Sequence, residues 1–176
     1  MLSKCTHWDA RFFLLCDMIA SWSEDSSRKV GSVIVGANNE IRATGFNGIP
    51  RGVNGSRDDR HSRASGEKYL WFEHAERNAI YNAASTGTPI SGTRMYVNSF
   101  PCADCTRAII QSGIDALHTF NFAPDDPKYS RHFLVSQEML SEAAVQVKLF
   151  ERNDPKITEL ARNFEMTRSE TSGFLR

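Results

Sequence analysis

Between Gly31 and Phe150 the apolar residues change period repeatedly, and that alternation restricts the fold more than any other feature of the chain. The stretch "GSVIVGANNEIRATG" holds two runs rich in β-branched residues on either side of Ala37-Asn38-Asn39-Glu40, the pattern of an antiparallel hairpin. Further on, the strand-like runs "TRMYVNS", "ALHTF" and "VQVKLF" alternate with helix-like segments. These are "EHAERNAIYNAAS", then "CADCTRAIIQSG" ending at Gly113, then a segment from about Ser130 to Ala143. Ahead of the hairpin, Thr6 is placed to cap a helix running to about Ser23, with Trp8, Phe12, Leu15, Cys16 and Ile19 on one apolar stripe. "DPKITELARNFEM" adds a terminal helix with Pro155 in its first turn, and the last ten residues look frayed. Strands that alternate with helices need right-handed crossovers and parallel neighbours. The expected architecture is therefore α/β: a three-layer α-β-α sandwich around a five-stranded mixed sheet. All 176 residues form one domain, with a helical extension from about residue 153.

Charge and cysteine usage narrow the possible functions. The 21 Lys and Arg residues balance 21 Asp and Glu, so no global field attracts nucleic acid or an anionic membrane. No apolar run approaches the ~20 residues of a membrane span. The N-terminus "MLSKCTHWDARFF" lacks the apolar core of a secretory signal. Four scattered cysteines then point to a reducing, cytoplasmic setting, where a cysteine pair serves as a metal ligand or catalytic group more often than as a disulfide. Residues 46–67 are polar and lack sustained periodicity, which marks either a functional loop or a disordered one.

Chemistry concentrates in two places. Cys102 and Cys105 lie at i and i+3, on one face of the first turn of their helix, where the positive end of the dipole favours thiolates. His74, at the start of the preceding helix, can supply a third ligand. Two thiolates and an imidazole balance Zn²⁺ and leave a fourth position open, the pattern of a catalytic zinc. Glu76 follows His74 too closely to ligate beside it but stands where a general base is needed. A thioredoxin-like dithiol and a pair of inert core cysteines are the competing readings of Cys-x-x-Cys. The upstream His-Ala-Glu has no use in either. Histidine, x, glutamate, then "PCADC" after residues 77–100 is the signature of the zinc-dependent nucleobase deaminases. No other cysteine or histidine has diagnostic spacing for a fourth, structural ligand, and His118 reads as a satisfied structural histidine.

With "HAERNAI" and "PCADC" the chain resembles the cytidine deaminase superfamily. "GFNGIPRGV", "ASWSEDSSRKVGSVIV" and "MYVNSFPCADCTRAIIQSGI" are similar to the deoxycytidylate (dCMP) deaminases, over roughly residues 8–150. That resemblance implies hydrolysis of dCMP to dUMP and ammonia, feeding thymidylate synthesis. Glu76 would take the proton of the attacking water, deliver it to N3 of the base, and carry a second to the departing ammonia. The Ala75 N–H would donate to the base O2 and the Ser99 carbonyl would accept from the amino group. Asn47 would contact the deoxyribose, or simply serve the turn beside Gly48. Arg28 and Lys29, just before the first strand, are candidates for the 5′-phosphate or for a solvated loop. Relatives commonly place a tyrosine shortly after the fourth strand; here "FNFAPDDPKY" displaces Tyr129 by several residues.

The resemblance also implies a hexamer activated by dCTP with Mg²⁺ and inhibited by dTTP. Gly45, Asn47, Gly48, Arg51 and Gly52 would border the effector, their amides forming an anion-binding concavity. Turn residues leaving a strand are the plainer reading of the same glycines. Other deaminases of this fold, acting on tRNA adenosine, guanine or the nucleoside, share the zinc motif. A non-catalytic zinc module that binds nucleotides is the alternative from another class, and Glu76 speaks against it.

Overall fold

Thr6 starts the first helix through a capping box: its hydroxyl accepts the Asp9 N–H at 3.1 Å while Asp9 Oδ2 accepts the Thr6 N–H at 2.9 Å. The computed structural model describes residues 2–122 and 130–172, with side chains as far as residue 165. Helix α1 spans His7–Ala20 and buries Phe12, Phe13, Cys16, Ile19 and Ala20. Trp8, expected on the buried stripe, is 45% exposed and stacks on Phe12 instead. The inward face is rotated because Asp9 turns into the core, where its Oδ1 accepts the Tyr96 hydroxyl at 2.7 Å and lies 3.1 Å from His118 Nδ1.

The strands are β1 (Gly31–Val35), β2 (Ile41–Phe46), β3 (Arg94–Val97), β4 (Ala116–Phe120) and β5 (Gln146–Phe150). They form one five-stranded sheet in the order β2-β1-β3-β4-β5. β1 runs antiparallel to both β2 and β3, while β3, β4 and β5 are mutually parallel. The remaining helices are α2 (Lys68–Trp71), α3 (Ala75–Thr86), α4 (Ala103–Gln111), α5 (Ser130–Glu142) and α6 (Pro155–Ser172). Alternation along the strands divides the interior. Val33, Val35, Tyr96, Phe120 and Phe150 pack with α1 and Ile157 of α6. Ile34, Met95, Val97 and Leu117 pack with Ala79, Ile109, Phe133 and Leu140 of α3, α4 and α5. The expected three-layer sandwich with its mixed sheet is what the chain adopts. α6 continues to Ser172, through residues expected to be frayed.

The polar stretch after β2 is ordered without a periodic apolar face. Gly48 and Glu73 exchange two backbone hydrogen bonds of 3.0 and 2.8 Å. A 3-10 turn at Asp58–His61 brings His61 against Phe72 at 5.1 Å and Arg60 over Trp71 at 3.8 Å. Among the described residues no helix is long and apolar enough to cross a membrane.

One close approach sets the height of α3 over the sheet. A Cβ added at Gly45 in β2 would lie 2.3 Å from the Ala79 nitrogen and 2.4 Å from the Ala75 carbonyl oxygen. Gly45→Ala therefore forces α3 away from β2. We expect urea denaturation to show a loss of about 1–3 kcal/mol, the cost of overpacking a core.

Candidate active site

Two helix starts meet beyond the end of β3. His74 is the N-cap of α3 and Cys102 the N-cap of α4, both with extended backbone and neither with a side-chain capping bond. Freed from capping, these side chains turn toward each other: His74 Nδ1 lies 3.4 Å from Cys102 Sγ and 3.4 Å from Cys105 Sγ. A tetrahedral zinc with Zn–S of about 2.3 Å and Zn–N of about 2.0–2.1 Å sets an S···N edge of about 3.5 Å. The cluster has that edge already, so the donor set fits zinc in both chemistry and spacing. It is the one group of three such ligands among the described residues, with all donor atoms within 4.8 Å of one another.

The electrostatics favour a thiolate. Hydrogen bonds from the Cys105 thiol and then from His74 overcome burial and bring the Cys102 thiol down to about 3. Cys5, by contrast, is pushed up to about 11 by burial and the neighbouring Asp154 carboxylate, and so behaves as an ordinary core thiol. Glu76, in the first turn of α3, is only 3% exposed. Burial raises its carboxyl pKa, which suits a group that must accept a proton and return it.

Glu76, His74, Ala75 and Cys102 line a cavity of about 70 Å³, with Ser99 and Phe100 from the segment after β3. Asn47 and Arg28 line it from the other side. Lys29 lines instead a neighbouring cavity of about 330 Å³ that shares Arg28, and its Nζ reaches the Ser21 carbonyl at 3.4 Å. Tyr129 lies outside the described residues. Asn47 is heavily engaged. Its Nδ2 donates to Asp25 Oδ2 and to the Arg28 carbonyl, both at 2.9 Å, and its Oδ1 accepts the Val30 N–H at 2.7 Å. Both amide hydrogens are used within the protein, and one Oδ1 lone pair is spent on Val30.

The glycine segment is engaged too. Gly45 lies under α3, the Gly48 N–H bonds the Glu73 carbonyl, and the Ile49 N–H bonds Glu24 Oε1 at 3.2 Å. Arg51 donates to Asn82 Oδ1, and Gly52 holds a left-handed turn with φ of 82°. Sequence reasoning missed Asp25, Arg63, Lys68, Tyr69 and Phe72, all of which line the cavity. Asp25, Arg63 and Lys68 showed only as charges without a periodic context, which carry no address, and Tyr69 and Phe72 gave no signal. Removing either sulfur ligand should release the metal and loosen both helix starts together. Cys102→Ala and Cys105→Ala are expected to bind well under one zinc per chain by metal analysis and to give less soluble protein.

A sequence model of the cytidine and deoxycytidylate deaminase zinc-binding region matches residues 6–120. An uncharacterized deaminase of Aliivibrio fischeri is 38% identical over 148 residues, covering 84% of this chain and 94% of that one. Human deoxycytidylate deaminase is 32% identical over 170 residues, covering 94% of this chain and 90% of that one. A crystal structure of dCMP deaminase from the cyanophage S-TIM5, in complex with dCMP and dUMP, has the same fold. Its TM-score is 0.67 at 22% identity, over 84% of this chain and all 100% of that one. The metal cluster falls inside the matched region, and the likeness to a curated deaminase runs nearly end to end. The chain belongs to the cytidine and deoxycytidylate deaminase family and is a zinc-binding deaminase.

Proposed function

We propose that this chain converts dCMP and water to dUMP and ammonia, supplying dUMP for thymidylate synthesis. The observation that carries the reading is the buried Glu76 beside the His74, Cys102 and Cys105 cluster, in a cavity that Arg28 also lines. Zinc held by those three residues would supply a nucleophile by making a water acidic near neutral pH. The chain's own groups do the rest. Glu76 takes a proton from the water and passes it to N3 of cytosine, which makes C4 electrophilic. The hydroxide left behind adds to C4, and Glu76 then moves the proton of the new C4 hydroxyl to the amino group as the C4–N bond breaks, leaving ammonia and the C4 carbonyl of dUMP. The Ala75 N–H, in the first turn of α3, has no intrahelical partner and can donate to the base O2. The Ser99 carbonyl can accept from the amino group, and Arg28 is the cation offered to the 5′-phosphate.

The extended likeness to human deoxycytidylate deaminase supports this substrate over free guanine or the nucleoside. Balanced charge supports it over tRNA. Control by dCTP with Mg²⁺ and by dTTP, in a homo-hexamer, rests on the resemblance of residues 45–53 to the dCMP deaminases. Because the Gly48 and Ile49 amides already have partners, we assign effector recognition to Gly52 and to Arg51, which would exchange its bond to Asn82 for the effector.

Glu76→Gln should keep about one zinc per chain and lose nearly all turnover, since the ligands remain and the proton carrier does not. A variant retaining a tenth of the wild-type rate would refute the role. Ammonia release from dCMP, deoxycytidine, dCTP and guanine should favour dCMP over deoxycytidine by ~10²-fold in kcat/KM, as charge-assisted bonds to phosphate require. Sigmoidal dCMP kinetics, made hyperbolic by dCTP and suppressed by dTTP, are expected in the same assay.

A further inference from the structure

Lys68 is a buried lysine that the proposed chemistry does not use. It is 8% exposed, stands at the start of the single-turn helix α2, and reaches across to the loop joining α1 to β1. There its Nζ pairs with Asp25 Oδ2 and donates to Ser27 Oγ at 2.5 Å. Asp25 is 3% exposed and is the hub of the loop. Its Oδ1 accepts the Ser27 N–H and hydroxyl, both at 2.8 Å, and the Arg28 N–H at 3.2 Å. Its Oδ2 also accepts Asn47 Nδ2, and that same nitrogen donates to the Arg28 carbonyl. The backbone of Arg28 is thus held on both its polar atoms, the N–H by Asp25 and the carbonyl by Asn47.

A carboxylate this deeply buried needs a counter-charge to stay ionised, and leaving either partner of such a pair alone is costly. Burial works against the Asp25 charge, yet the hydrogen bonds from Lys68, Ser27 and Arg28 hold its carboxyl below the ordinary carboxylate range. The zinc-ligand helices take no part in this network. His74 and Glu76 stand at the start of α3 and the cysteines at the start of α4; they face the loop across the cavity, and Val30 packs against the core that holds Ala79 and Ile109.

We propose that Lys68 and Asp25 form a positioning clamp that holds Arg28 and Asn47 at the cavity, so that preference for a phosphorylated substrate depends on two residues that need not touch the phosphate. This rests on the dCMP reading above. Lys68 acts through Asp25, so neutralising either should have the same effect, whereas a direct phosphate ligand at Lys68 would leave Asp25 dispensable.

The test uses the full chain loaded with zinc, comparing wild type, Lys68→Gln, Lys68→Arg and Asp25→Asn. Lys68→Gln and Asp25→Asn should each cut the dCMP-over-deoxycytidine ratio of kcat/KM about tenfold, through KM for dCMP, as loss of one charge-assisted hydrogen bond does. Zinc content should stay at about one per chain. Lys68→Arg, which keeps the cation, should recover most of the ratio. Amide hydrogen exchange at Ser27, Arg28 and Val30 should quicken in the two neutral variants and not in Lys68→Arg. If Lys68→Gln does not fold, Ser27→Ala removes one acceptor of the same lysine and should shift the same readouts by less.

A drop confined to Lys68→Gln would overturn the clamp and make Lys68 a phosphate ligand. A parallel drop on both substrates, or unchanged exchange, would overturn it as merely structural. Failure of wild type to deaminate dCMP would refute the substrate reading instead. The exchange measurement would then decide the clamp by itself.

Discussion

The meeting of two helix starts on a pair of sulfurs and one imidazole is the contact from which the pocket is built. An N-cap residue has extended backbone and a side chain free to bond the exposed amides of its own helix. At His74 and Cys102 neither side chain does so. The helix dipoles therefore favour negative charge at ligand atoms that point at each other. The approach is possible because α3 lies directly on β2 at Gly45, where no side chain intervenes. Moving that helix by the width of a methyl group would shift His74 and Glu76 together, since one is its N-cap and the other lies in its first turn.

Strand order then brings everything else to the same edge. β1 lies antiparallel between β2 and β3, with Gly31 opposite Phe46 and Ser32 opposite Val97. The entry to β1 therefore meets the exits of β2 and β3. Residues 23–30, Asn47 and Ser99 are gathered at the carboxyl end of the parallel strands, where open α/β sheets bind their ligands. On the opposite face, Tyr96 and His118 give their polar atoms to Asp9 beneath α1. Burial lowers the His118 pKa, with the Asp9 bond opposing the shift. This polar network joins α1 to β3 and β4 and lies away from the metal cluster. His118 is structural, as its place in an alternating strand indicated.

What could be read from the sequence was what local spacing encodes. The i, i+3 cysteines, the His-Ala-Glu preceding a helix, and the changes of hydrophobic period are all short-range signals, and they pointed to the residues that meet in the His74, Cys102 and Cys105 cluster, to the buried Glu76 and to the layers. Contacts between distant segments had no such signal. Asp25 and Lys68 are 43 positions apart (68 − 25), in stretches with no period, and only the folded loop makes them a pair. Trp8 was misplaced on the buried stripe because apolar spacing cannot show that a carboxylate, Asp9, takes the inward place beside it. Gly45 and Gly48 were read together as amides open to an anion. One admits a helix and the other closes a two-bond bridge, roles that depend on α3 and Glu73 rather than on neighbours in the chain.

Asn47 shows how recognition is divided in such a pocket. An Asn-Gly pair after a strand suggests a turn or a ligand contact, and a side chain reaching a sugar would ordinarily offer its amide hydrogens. Here both are given to Asp25 and to the Arg28 carbonyl, while Oδ1 fixes Val30 and the Ser23 hydroxyl holds the Asn47 carbonyl at 2.6 Å. Polar side chains therefore hold backbone, and the cavity they frame is also lined by Ala75, Ser99 and Arg28. Groups fixed in this way need little reordering when a ligand arrives, which is where preorganised sites gain affinity. The same arrangement makes the pocket sensitive to residues behind it. A substitution at Asp25 or Asn47 would alter the geometry of the site while leaving the metal ligands in place.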